Sequence, residues 1–119
     1  INIRERLNAI LNGVKEGKYM EEFEKYYHKD VVMIDTGDTT NRVGKEQNRK
    51  TEQTFYDNSV LHEVKVNKIL VDGNNSAYEI YMHFTNGGVN TKWLVWSIQE
   101  WKDGLIIKEE FWIPGKKVN

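Results

Sequence analysis

The chain has 119 residues, 17 Lys and Arg against 18 Asp and Glu, a formal net charge of -1, and no cysteine. That length supports a single domain, 1–119, which buries about two-thirds of its unfolded surface on folding. Basic residues are scattered rather than gathered along one face, which argues against a nucleic-acid or membrane partner. Without cysteine, disulfides, thiolate catalysis and Cys-based zinc sites are excluded.

The opening stretch, INIRERLNAIL, has charges inside its apolar pattern, so it reads neither as a signal-peptide core nor as a membrane span. A cytoplasmic location is the expectation, with an upstream leader left open because the chain begins at Ile1. Ile3, Leu7, Ile10, Leu11 and Val14 recur at helical spacing, and Gly17 stands where a helix stops. Met20, Phe23, Tyr26 and Tyr27 continue the period, predicting a second short helix to about His28. DVVMID, residues 30–35, is a short β-branched run closed by the turn-rich TGDTTN. Residues 43–58 are rich in helix formers, with Val43, Phe55 and Tyr56 as their few apolar anchors.

From Val60 the period changes to two, and the turn signals DGNN, NGG and KDG divide the remainder into strands at about 60–71, 76–85, 90–102 and 105–113. Val60, His62, Val64 and Val66 share one phase while Ile69 and Val71 take the other, predicting a bulge near Asn67 and Lys68. The order is α-α-β-α-β-β-β-β, an α+β layout with a curved antiparallel sheet and helices on one side of it. Within SAYEIYMHFTN, one phase is Tyr78, Ile80, Met82, Phe84 and the other is Glu79, Tyr81, His83. The second phase is unusual for a solvent face, because Glu, Tyr and His are side chains that bind and move protons in clefts.

The element order, YYHKDVVMID running into a loop, VGKEQ opening the third helix, and WKDGLIIKEEFWI closing the sheet resemble the nuclear transport factor 2-like superfamily, particularly its SnoaL-like branch. That resemblance spans nearly the whole chain and implies a cone, its sheet wrapped around three N-terminal helices with a ligand cavity at the wide end. It places Asp35 where the related ketosteroid isomerases have their proton-transferring base. Their oxyanion donors match Ser97 and a position near Ile10 or Leu11, so steroid isomerisation by that route is not expected. Carried along the sheet, it puts Glu79, Tyr81 and His83 in the cavity with Trp93, Val95, Ser97, Glu109 and Phe111. His83, Tyr81 and Glu109 would be donors or proton partners, and Trp93 and Phe111 walls. The outer face would then carry Ile80, Met82, Phe84, Leu94, Trp96, Ile98 and Trp112, an apolar surface that implies a homodimer.

Plainer readings stand beside these. Asp35 at a strand end is also a turn-former, and Glu79, Tyr81 and His83 also suit the wet side of an ordinary sheet. His28 suits a helix end, and His62 a satisfied core or edge position. The histidines and carboxylates match no metal-binding motif, so neither metal nor cofactor is expected. IDTGD contains the Asp-Thr-Gly of aspartic proteases, but their all-β fold does not suit a chain that opens with helices. The expected function is binding of a small, partly apolar molecule, with acid-base chemistry of isomerase, dehydratase or hydrolase type and Asp35 as base. Its rival is a non-catalytic ligand-binding or association module of the same fold.

Overall fold

The structure, a computed structural model, describes residues 1–115. Helix α1 (Ile3–Glu16) starts where the Asn2 side chain accepts a 3.0 Å hydrogen bond from the Glu5 N–H, and ends at Gly17 in the left-handed conformation. Its apolar stripe, Ile3, Leu7, Ile10, Leu11 and Val14, is buried. Gly13 allows the next helix to cross closely, because a Cβ there would lie 2.8 Å from Glu22 Cγ and 3.2 Å from the Lys18 carbonyl oxygen. Helix α2 (Tyr19–Tyr26) then gives way at once to β1 (Tyr27–Asp35), so the first strand begins before the expected DVVMID run. Tyr27, expected in the helix, is instead a buried strand residue.

A two-residue strand, β2 (Arg42–Val43), precedes α3 (Lys45–Asp57) and was not foreseen. The remaining strands are β3 (Ser59–Asp72), β4 (Asn75–Asn86), β5 (Val89–Lys102) and β6 (Leu105–Trp112), within a residue or so of the sequence boundaries. Together they form one six-stranded sheet in the order β2-β1-β6-β5-β4-β3. All neighbours pair antiparallel except β1 and β6, which run parallel. Register shifts interrupt β3 between Leu61 and Glu63 and between Val66 and Lys68, the second at the expected bulge. Such bulges bend a sheet, and here its inner face closes over the helices to make an α+β cone. Arg6 ties α1 to the β5–β6 turn by donating to the Gly104 carbonyl at 2.6 Å.

The inner face of β4 is the reverse of the one expected. Tyr78, Ile80, Met82 and Phe84 are buried in the core, whereas Glu79, Tyr81 and His83 are only partly covered on the outer face. Antiparallel partners share a face, and the register pairs Tyr78 with Ser97, Ile80 with Val95, and Met82 with Trp93. Glu79, Tyr81 and His83 instead stand opposite Trp96, Leu94 and Lys92. The expectation was therefore right for β5 and one residue out for β4, a slip that turns every side chain over. Apolar helix stripes need apolar partners, and the Tyr-Ile-Met-Phe phase provides them.

Asn48 fixes the start of α3. It is fully buried and its amide donates to the carbonyls of Val31 at 3.2 Å, Arg42 at 3.1 Å and Gly44 at 2.9 Å. Asn48→Ala leaves these acceptors short of a donor and should lower the unfolding free energy by about 2–3 kcal/mol, at a net cost of about 1 kcal/mol per bond. Urea denaturation measures this, and a loss below about 0.5 kcal/mol would contradict the assignment.

Candidate functional site

A cavity of about 210 Å³ opens between α3, the end of β1 and the inner faces of β4, β5 and β6. Its walls are largely aromatic: Tyr19 and Tyr56 stack at 4.9 Å, Phe55 meets Tyr56 edge-on at 5.1 Å, and Trp93 meets Phe84 edge-on at 4.8 Å. Asp35 reaches it because parallel pairing sets the end of β1 beside Phe111 of β6, where the Thr36 N–H donates to the Phe111 carbonyl at 2.9 Å.

One guanidinium organises the polar edge of the cavity. Arg42 Nη1 donates to Asp35 Oδ2 at 2.5 Å, Nη2 lies 3.4 Å from Glu52 Oε1, and Nε donates to Asn48 Oδ1 at 3.0 Å. The two carboxyls are thus unequally served by one cation. Burial raises the Glu52 carboxyl to about 8; Arg42 opposes this, while Glu109 and Asp35 add to it as neighbouring negative charges. Near neutrality Glu52 therefore carries a proton.

Glu109 lies two residues before Phe111 on β6 and is only 1% exposed. Three donors converge on it: Tyr27 Oη at 2.5 Å, Gln99 Nε2 at 2.7 Å and Ser97 Oγ at 3.0 Å. Beyond them Ser76 donates to Gln99 Oε1 at 2.7 Å and the Trp101 indole N–H donates to Ser76 at 2.8 Å. Burial raises the Glu109 carboxyl, although the three donors and Arg42 draw it back down. The cavity phenols Tyr19, Tyr56 and Tyr78 are pushed well above their usual range, chiefly by burial and then by Glu52 and Glu109. They stay protonated and serve as donors.

Of the residues singled out in the sequence, Asp35, Trp93, Val95 and Phe111 line the cavity, and Ser97 and Glu109 lie buried in the adjoining network. Glu79, Tyr81 and His83 do not join them. Glu79 accepts from Asn67 Nδ2 at 3.2 Å on the outer face, and His83 Nε2 meets Asn90 Oδ1 at 2.7 Å, with its ring 4.7 Å from that of His62. His83 is therefore not placed to act with Asp35. His28 sits on β1, not at a helix end, where its Nδ1 accepts from the Asp30 N–H at 3.0 Å.

The residues missed are Arg42, Glu52, Tyr19, Tyr56 and Tyr78. A signal existed for Glu52: Asn48, Glu52, Phe55 and Tyr56 fall at one helical face, so a polar pair shares the only aromatic stripe of α3. Arg42, in a short turn-rich stretch, had no local pattern to mark it.

A family model for the SnoaL-like domain matches residues 7–109. The chain belongs to the SnoaL-like domain family. Among solved structures, this SnoaL-like chain is similar to a proposed SnoaL-like polyketide cyclase from Mesorhizobium loti, at 23% identity and a TM-score of 0.82, covering 94% of this chain and 99% of that one. An NTF-2 like protein of unknown function from Burkholderia xenovorans shares 18% identity at a TM-score of 0.78, over 98% and 85% of the two chains. A Mycobacterium tuberculosis LEH-like epoxide hydrolase shares 18% at 0.76, over 92% and 80%. At these identities the likeness is one of fold. No curated protein matches the chain.

The Glu52 carboxyl has a pH signature. Between about 4.5, its ordinary value, and about 8, the folded chain holds a proton that the unfolded chain has released. The stability contribution is therefore full below about 4.5 and is lost as pH rises through about 8, by at most about 5 kcal/mol. Glu109, also raised, acts with the same sign. Glu52→Gln should flatten most of this slope in denaturation measured from pH 5 to 9; an unchanged slope would show that Glu52 titrates normally.

Proposed function

We propose that this SnoaL-like domain binds a small, partly apolar molecule in the aromatic cavity and performs acid-base chemistry on it. The supporting observation is the single guanidinium of Arg42 between two unequally held carboxyls, Asp35 at 2.5 Å and Glu52 at 3.4 Å. Asp35 is the proton acceptor. Glu52 brings the proton that its burial retains, and the phenols of Tyr19, Tyr56 and Tyr78 steady a developing oxyanion. A pair of carboxyls separated in this way can take a proton at one point and deliver one at another, the requirement shared by isomerases, dehydratases and hydrolases.

The epoxide hydrolase of similar fold suggests the first reaction to test. Water attacks an epoxide carbon as one of its protons passes to Asp35, the carbon–oxygen bond breaks, and the oxygen takes the proton of Glu52. Styrene oxide is the probe and its diol the product. Asp35→Asn and Glu52→Gln should each lower kcat by about 100-fold or more with KM little changed, the range for losing one acid-base group. Saturable quenching of Trp93 without diol would overturn the chemistry for this substrate class and favour the non-catalytic binding module.

We also propose that a second copy covers the outer sheet face. Leu94, Trp96, Ile98 and Trp112 lie there, Trp112 being 43% exposed, among Lys92, Lys108, Glu100 and Glu110. Both charge signs flanking an apolar strip suit a two-fold contact in which the patch meets itself. Ile80, Met82 and Phe84, which face the core, take no part. Trp96→Glu should convert dimers to monomers in light scattering at micromolar concentration, and a monomeric native chain would refute the pairing.

A further inference from the structure

Resting on the reading of the cavity as the binding site, we propose that its ligand carries a basic nitrogen, held as an ammonium between the aromatic walls and Glu52. The balance of charge is the first reason. Among the described residues lining the cavity Arg42 is the one cation, set against Asp35 and Glu52, with buried Glu109 close behind. All three guanidinium nitrogens are already engaged, Nη1 by Asp35, Nη2 by Glu52 and Nε by Asn48. A ligand carboxylate would have to break one of these contacts to obtain a fork from Arg42, and would then compete with a carboxyl already held there. An anionic ligand is therefore disfavoured.

The walls are the second reason. Tyr19, Phe55, Tyr56, Tyr78, Trp93 and Phe111 line the cavity with aromatic rings. An ammonium partly withdrawn from water gains from the negative faces of such rings, and a carboxylate beside them completes its neutralisation. A neutral alcohol of the same shape obtains the apolar contact but not the charge.

Proton traffic follows from the same arrangement. Glu52 is protonated in the empty cavity at neutral pH, and an ammonium beside it favours the carboxylate. An amine entering as the free base takes the Glu52 proton; one entering as an ammonium expels that proton to solvent. With such a ligand bound, the proton that Glu52 would otherwise donate is carried by the ligand's own ammonium, and Asp35, paired to Arg42, is left as the proton acceptor for any chemistry at a neighbouring carbon.

The test uses three probes of one shape, 2-phenylethylamine, 2-phenylethanol and phenylacetate, titrated calorimetrically at pH 7 in two buffers of different ionisation enthalpy. The amine should bind about ten-fold or more tighter than the alcohol, a difference within reach of one desolvated cation–π and carboxylate contact. Its binding should release up to about one proton. Phenylacetate should bind most weakly. Glu52→Gln should remove both the preference and the proton release while sparing the alcohol. Equal affinity for amine and alcohol, or amine binding without proton release, overturns the inference and leaves the cavity as the site of a neutral ligand. Failure of all three probes to bind at millimolar concentration overturns the inference and the binding-site reading together.

Discussion

The contact on which the site depends is the guanidinium of Arg42, held between the end of β1 and the inner face of α3. Its partners come from two elements, Asp35 from β1, Asn48 and Glu52 from α3, while Arg42 itself is one of only two residues in β2. So short a strand has little stability of its own, and its pairing with Met33 and Val32 of β1 holds it against the sheet. Asn48 then closes the arrangement from the other side, accepting from Arg42 Nε and donating to the Arg42 carbonyl. A half-buried ion pair seldom adds much net stability, because desolvating the two charges costs about what their attraction returns. Its value here is positional: three consecutive elements are brought to one point, and one cation is shared unequally by two carboxyls.

That inequality would mean little in an open cleft. The aromatic walls keep water from Glu52, and Glu109 behind them adds a negative field without a cation of its own. The Glu109 network resolves a difficulty that a buried carboxylate otherwise poses, because Tyr27, Ser97 and Gln99 each donate to it and Ser76 and Trp101 extend the chain. Among the described residues no buried side-chain nitrogen or oxygen lacks a partner. Burial, hydrogen bonding and charge are thus arranged so that polar groups persist in the core while retaining unusual protonation states.

Much of the fold was legible because periodicity reports burial. The stripe of α1, the two-residue period after Val60 and the three turn signals of the meander each gave an element within a residue or two. The slip in β4 has a specific cause. Glu79, Tyr81 and His83 look like pocket chemistry and the family match carried along the sheet lands on them, whereas the helices require the apolar phase of Ile80, Met82 and Phe84. Pairing settles it, since Val95 and Trp93 stand opposite Ile80 and Met82, and register across a hairpin is not written in either strand alone. Asp35 and Phe111 line the cavity where the family resemblance placed them, at a strand end and on the closing hairpin. Arg42 and Glu52 were missed because their meaning is long-range: ten residues separate them in the chain, and only the packing of α3 on β1 brings them together.

The central claim is that Glu52, beside an Arg42 already engaged by Asp35, keeps its proton near neutral pH. Titration of the Glu52 carboxyl carbon by NMR in the ligand-free protein measures this directly, with Glu52→Gln to assign the signal. The account predicts a midpoint of about 8. A midpoint at the ordinary glutamate value of about 4.5 would contradict it, showing that Arg42 neutralises both carboxyls alike.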